Sequence, residues 1–207
     1  MKTFKVTIVA NNAAGAWSSW SEKTAAIRAF YAPVCDLQIQ FSNIALTPKF
    51  MPYEGVSGAG TVYRIDEAWY QQNVSPLARG ADIVVFVVPP SDHPNIVTLM
   101  GIETGDALGN WETTVFSDEN SKTYVNGAEE GNTFVIYTLH ELAHVFYAML
   151  NKADNTHLYF YAGTPEKVLA DFTFDMDGPK TQLIALYNQL ILTLKALASA
   201  LIAKKKA

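Results

Sequence analysis

His140 and His144 stand four residues apart in the stretch Thr138-Leu139-His140-Glu141-Leu142-Ala143-His144-Val145-Phe146, and Glu141 directly follows the first histidine. On an α-helix, residues four apart lie one above the other on the same face. Two imidazoles so placed can converge on one Zn²⁺, each nitrogen about 2.0–2.1 Å from the metal. Zinc lowers the pKa of a bound water towards about 7, which makes hydroxide available near neutral pH. Glu141 sits beside such a metal without having to bind it, and its carboxylate suits taking up a proton and passing it on. With 4 His and 10 Glu in 207 residues, this spacing is expected by chance only about 0.004 times per chain. The flanking residues are uncharged. Two histidines and a glutamate buried without partners on such a helix would cost several kcal/mol, and a metal gives all three a partner. The plainer alternative is a helix with two ordinary, partly exposed histidines.

The HExxH pattern resembles that of the zincin metallopeptidases. The resemblance rests on His140, Glu141 and His144 and extends loosely over residues 3–150. It implies an α/β (α+β zincin-like) fold: a twisted, mostly parallel sheet with an antiparallel edge strand, a backing helix, and the HExxH helix. It also implies that His140 and His144 bind zinc and that Glu141 is the general base. The chain departs from the metzincin pattern HExxHxxGxxH, since Tyr147 and Leu150 stand where glycine and histidine are required.

Catalytic zinc takes three protein ligands and one water. The helix is expected to run to about Leu150, after which residues 151–155 turn the chain back. His157 follows that turn and is the only histidine beyond the motif. It is the first candidate for third ligand. Asp154 and Glu166 compete with it, with Asp171 and Asp175 further behind. Tyr159 and Tyr161 are candidate oxyanion donors, although packing also explains a tyrosine. Met176, in an Asp175-Met176-Asp177-Gly178-Pro179 turn, could sit beneath the metal as a methionine turn does in some zincins, or simply pack. His93, in a distant loop, reads as bland.

The elements that must position these groups follow from patterning. Residues 3–10 alternate apolar and polar and read as a strand rather than a signal peptide. Residues 22–31 read as a helix, 34–46 as a strand, and 47–61, rich in Pro and Gly, as a long loop. Residues 65–73 suggest a short helix, and 81–88 a strand buried on both faces. Residues 91–132 read as loop with weak strands at 112–116 and 122–125. Residues 134–150 form a buried helix, and 151–180 read as irregular with a short helix at 165–172. A substrate peptide is expected to add as a strand along 111–117 or 122–125.

Composition bounds the rest. The chain is 49% hydrophobic and 17% charged with a net charge of −5, which excludes a disordered protein and argues against nucleic acid as a partner. Cys35, the only cysteine, excludes a disulfide framework and a Cys-rich metal site. There is no uninterrupted apolar run of about 18 residues to span a membrane. The catalytic domain is expected over 1–179. Residues 180–207 would form an amphipathic helix with a heptad seam of Leu183, Tyr187, Leu190, Leu194, Leu197 and Leu201 and a basic end. Such a helix suits a homo-oligomer or peripheral membrane contact. The functional expectation is a zinc-dependent metallopeptidase acting on a peptide or protein. The rival is a non-catalytic assembly protein that keeps the fold and oligomerises through its C-terminal helix.

Overall fold

The structure is a computed structural model and describes residues 1–53, 62–88, 104–105, 111–125 and 127–174. The chain divides into two compact units, Thr3–Thr173, and Met1–Lys2 with Phe174–Ala207. His93, Asp175, Met176 and the helix expected from residue 180 lie outside the described residues. Among the described residues, no helix is long and apolar enough to cross a membrane.

In chain order the elements are β1 (Lys2–Asn11), α1 (Asn12–Gly15), α2 (Trp20–Tyr31), β2 (Cys35–Ile44), β3 (Phe50–Tyr53), β4 (Val62–Ile65), α3 (Glu67–Asn73), β5 (Ile83–Val88), β6 (Thr104–Gly105), β7 (Trp111–Phe116), β8 (Lys122–Val125), β9 (Ala128–Asn132), α4 (Thr133–Leu150) and α5 (Thr156–Tyr161). Short 3₁₀ turns cover Ser75–Ala78 and Pro165–Asp171. The fold is α/β, with a mostly parallel sheet in the order β2-β1-β5-β7-β6. β1, β5 and β7 run parallel, and β6 closes the edge antiparallel to β7. Two antiparallel pairs, β3–β4 and β8–β9, stand apart from it.

Strand β5 explains why the sheet has helices on both faces. All six of its residues, Ile-Val-Val-Phe-Val-Val, are buried. Successive side chains of a strand point to opposite faces, so a continuous apolar run must be covered twice. Val84, Phe86 and Val88 join Val9 and Ile44 beneath Trp69 and Tyr70 of α3. On the opposite face α4 lies over the sheet, where the rings of Phe4 and Phe146 meet at 5.2 Å. Phe134, Leu142, Val145 and Phe146 of α4 are fully buried, each contributing about 1.5–3 kcal/mol through burial.

Helix α2 backs α4. The Tyr31 ring packs edge-on against Phe146, and its hydroxyl donates to the Leu139 carbonyl at 2.6 Å. Burial, first of all, raises the Tyr31 phenol well above its ordinary range and keeps it a neutral donor. The N-termini of both helices meet one loop. Glu119 accepts from the backbone N–H and hydroxyl of Ser18 and Ser19 at the start of α2. The Asn132 amide, at the start of α4, donates to the Glu119 carbonyl at 2.8 Å. The Asn132 side-chain oxygen also accepts from Val135 N, so Asn132 caps the helix.

The structure departs from the sequence reading in several places. Residues 50–53, expected as loop, form β3 in a hairpin with β4. β9 pairs with β8 although its sequence, Ala-Glu-Glu-Gly-Asn, holds no strand former. Residues 156–161, expected as irregular, are α5. The expected antiparallel edge strand is β6, in residues read as loop, and it pairs with the end of the parallel strand β7.

Candidate metal centre

Helix α4 is stopped abruptly, and that stop builds the site. Asn151 adopts the left-handed conformation at φ 51° and ψ 44°. Its N–H donates to the Ala148 carbonyl at 3.0 Å, and the Lys152 N–H donates to the Tyr147 carbonyl at 3.0 Å. This is a Schellman closure with asparagine in place of glycine. The chain then reverses, and the Asp154 carboxylate accepts from Thr156 N at 2.8 Å to start α5. Helix α5 ends after one and a half turns in a second Schellman closure, with Gly163 at φ 71°. A side chain is strained in that conformation, so glycine is the residue that fits.

The reversal brings His157 over the HExxH face. One ligand nitrogen from each of His140, His144 and His157 lies within 4.8 Å of the other two. The Nε2 atoms of His140 and His144 are 3.0 Å apart. Tetrahedral zinc with bonds of about 2.0–2.1 Å holds its ligand nitrogens about 3.3 Å apart, so the spacing suits that ion. His140 is buried and His157 exposed, so the cluster runs from the core to the surface.

The tautomers suit a metal as well. The Asp154 carboxylate bonds to Nδ1 of His144. That bond fixes the proton on Nδ1 and leaves the Nε2 lone pair directed at the cluster. Burial, then the charges of His144 and His157, pushes the His140 imidazole down to about 3, so it is neutral at any ordinary pH. For Asp154 itself, desolvation pulls the pKa up, but the bonds from Thr156 and His144 outweigh it and hold the carboxyl below its usual range.

The carboxylate candidates therefore separate. Asp154 orients His144 rather than joining the three nitrogens. Asp171 accepts from Tyr147 Oη at 2.5 Å and from Asn155 Nδ2 at 3.2 Å, and Glu166 is exposed outside the cluster. Among the described residues the donor group has three members, not four.

Glu141 is buried at 3% exposure on the same face of α4. Thr113 Oγ1 of β7 donates to its Oε2 at 3.2 Å. A cavity of about 280 Å³ opens beside Glu141 and His140. Its walls come from Thr114, Val115 and Phe116 of β7, Thr123 and Val125 of β8, Glu130 of β9, Ile136 and Tyr137 of α4, and Phe160 and Tyr161 of α5. Tyr161 stacks on His157 with ring centroids 5.2 Å apart and lies 5.7 Å from the His140 ring. Burial, then the nearby Tyr137 and Glu141, raises its phenol above the ordinary value. Tyr159 does not line the cavity. It lies towards Tyr147, whose phenol is raised by burial first, then by Asp171, with Tyr159 a smaller influence. The two candidate tyrosines thus part, with only Tyr161 at the site.

Sequence reasoning missed Thr113, Tyr137, Glu130 and the orienting role of Asp154. Asp154 lies ten residues beyond His144, past the end of the helix, so no local spacing marked it as that ring's partner. The other three depend on how β7, α4 and the β8–β9 pair are stacked. In comparison with known proteins, no family model, no curated protein and no solved structure matches the chain.

Proposed function

We propose that the protein is a zinc-dependent hydrolase of the zincin kind that cleaves peptide bonds. One observation carries the reading: three imidazole nitrogens within 4.8 Å of one another, beside a buried glutamate at the wall of a cavity. A structural zinc site is closed by four protein ligands, whereas a catalytic one leaves a position free. Three donors among the described residues favour the second and weigh against the assembly-protein alternative.

His140, His144 and His157 would hold the metal. Bound there, zinc supplies Lewis acidity, polarising a carbonyl and lowering the pKa of a water at its open position towards about 7. Glu141 takes the proton of the attacking water and returns it to the leaving amine. Thr113, donating to one carboxylate oxygen, helps to fix the orientation of the group. The Tyr161 hydroxyl stands ready to donate to the oxygen that gains charge as the carbonyl is attacked. The substrate backbone lies along β7. Among the described residues β6 pairs with Trp111 and Glu112 and not with Thr114 to Phe116, which line the cavity and are the proposed place for strand addition.

The test is Glu141→Gln. Turnover of a peptide substrate should fall by about 10²–10⁴-fold, while one zinc per chain is retained by elemental analysis. Full activity in that variant would refute the mechanism.

A further inference from the structure

The cavity beside Glu141 has one charged group that the proposed reaction does not use. Its walls are mainly apolar, with Val115, Phe116, Val125, Ile136 and Phe160 facing each other across it. Apart from Glu141, Glu130 is the one carboxylate among the described lining residues, none of which is a lysine or arginine. Two backbone features place this carboxylate. The β8–β9 pairing runs Thr123 with Gly131 and then Tyr124 with Glu129, so Glu130 is the extra residue of a β-bulge. A bulge bends the strand and re-aims a side chain that regular pairing would send elsewhere. At the end of α5, a Cβ added to Gly163 would lie 3.1 Å from Glu130 Oε1. The missing side chain at Gly163 therefore leaves room for the carboxylate where the β8–β9 pair meets α5.

A wholly apolar occupant would strip water from this carboxylate and give it no partner, which is costly. An acidic occupant would meet like charge from both Glu130 and Glu141. A long aliphatic stem with a cationic head satisfies both parts: the methylenes lie along the apolar walls, and the head group bonds to Glu130. Resting on the hydrolase reading, we propose that Glu130 makes this cavity a specificity pocket for a lysine or arginine side chain next to the scissile amide.

The experiment compares matched peptides that carry Lys, Arg or norleucine at either position flanking the cleaved bond, using the zinc-loaded full chain. The wild type should favour the basic peptides by roughly tenfold or more in kcat/KM. Glu130→Gln keeps the shape and removes the charge. It should erase that preference, with norleucine peptides cleaved as before. A wild type that favours norleucine, or a basic preference that survives in Glu130→Gln, overturns the assignment and leaves the hydrolase intact. If the wild type cleaves none of the peptides, the hydrolase reading fails and binding decides the pocket. Measured by fluorescence anisotropy on Glu141→Gln, the Lys and Arg peptides should bind roughly tenfold tighter than norleucine. The added Glu130→Gln should remove that margin. Equal affinities would overturn the pocket assignment independently of catalysis.

Discussion

The two halves of the candidate metal centre are built in opposite ways. His140, Glu141 and His144 ride on α4, an 18-residue helix whose apolar face is packed on the sheet. His157 and Tyr161 ride on α5, six residues long and largely exposed at His157, Leu158 and Tyr161. The first half is rigid because the core holds it. The second is held by Asp154 at its start, the Gly163 closure at its end, and only two buried residues, Thr156 and Phe160, the latter packed 5.1 Å from the His140 ring. The three-histidine cluster thus joins a helix set by deep hydrophobic burial to one set largely by local hydrogen bonds.

Replacing a ligand from each half breaks the comparison most sharply. His140→Ala and His157→Ala should each abolish stoichiometric zinc at micromolar metal, read by elemental analysis. Only His140→Ala should also lower the unfolding midpoint of the metal-free protein, because it alone opens a hole in the buried helix face. Equal midpoints for the two apo variants would show that α5 is as firmly built in as α4.

Asp154→Asn comes next. It keeps the cap on Thr156 but weakens the hold on His144 Nδ1, so zinc affinity should drop about 10–100-fold with the fold unchanged. Competition with a chromogenic chelator measures it, and an unchanged affinity would remove Asp154 from the site. Tyr161→Phe should reduce kcat by about tenfold or more with KM little changed, and Tyr159→Phe should do neither. Equal losses from the two tyrosines would contradict the division seen on α5.

The smallest effect lies where α2 and α4 share a loop. The bond from the Ser19 hydroxyl, with further bonds from Ser18 and Ser19, outweighs an opposing desolvation and holds the Glu119 carboxyl below its ordinary range. A carboxylate whose folded pKa is lowered contributes stability above its unfolded pKa and loses it as pH falls through the folded value. The wild type should therefore be more stable than Glu119→Gln near neutrality, with the gap closing in acid below about pH 4. Chemical denaturation at several pH values checks this, and a gap independent of pH would assign the effect to shape rather than charge.

What the sequence made legible follows the same division. The strand over β1, the doubly buried β5 and the helix carrying the motif were readable because apolar periodicity reports burial directly. So was the end of α4 near Leu150. Helix α5 was not, because Thr-His-Leu-Tyr-Phe-Tyr is rich in β-formers and too short to show a helical period. Its helicity comes from Asp154 and Gly163, residues outside its own span. β9 was missed for a related reason: Ala-Glu-Glu-Gly-Asn becomes a strand only by pairing with β8. His157 was legible as a histidine in range of His140 and His144, but the Asp154 bond that sets the His144 tautomer was not. Nothing local distinguishes a carboxylate that binds zinc from one that holds a ligand.

The Asp154 carboxylate has one oxygen on His144 and the other on the first turn of α5. A helix this short is not stable in isolation. Its persistence depends on that bridge and on whatever ties His157 to His140 and His144. If the proposed metal site holds, metal capture and the ordering of α5 should be a single cooperative event. In hydrogen exchange, stripping the metal should deprotect the amides of residues 156–164 by orders of magnitude and leave those of β5 and the middle of α4 at the global unfolding limit. The exchange rate of a few surface amides becomes a reporter of the metal, readable without any substrate.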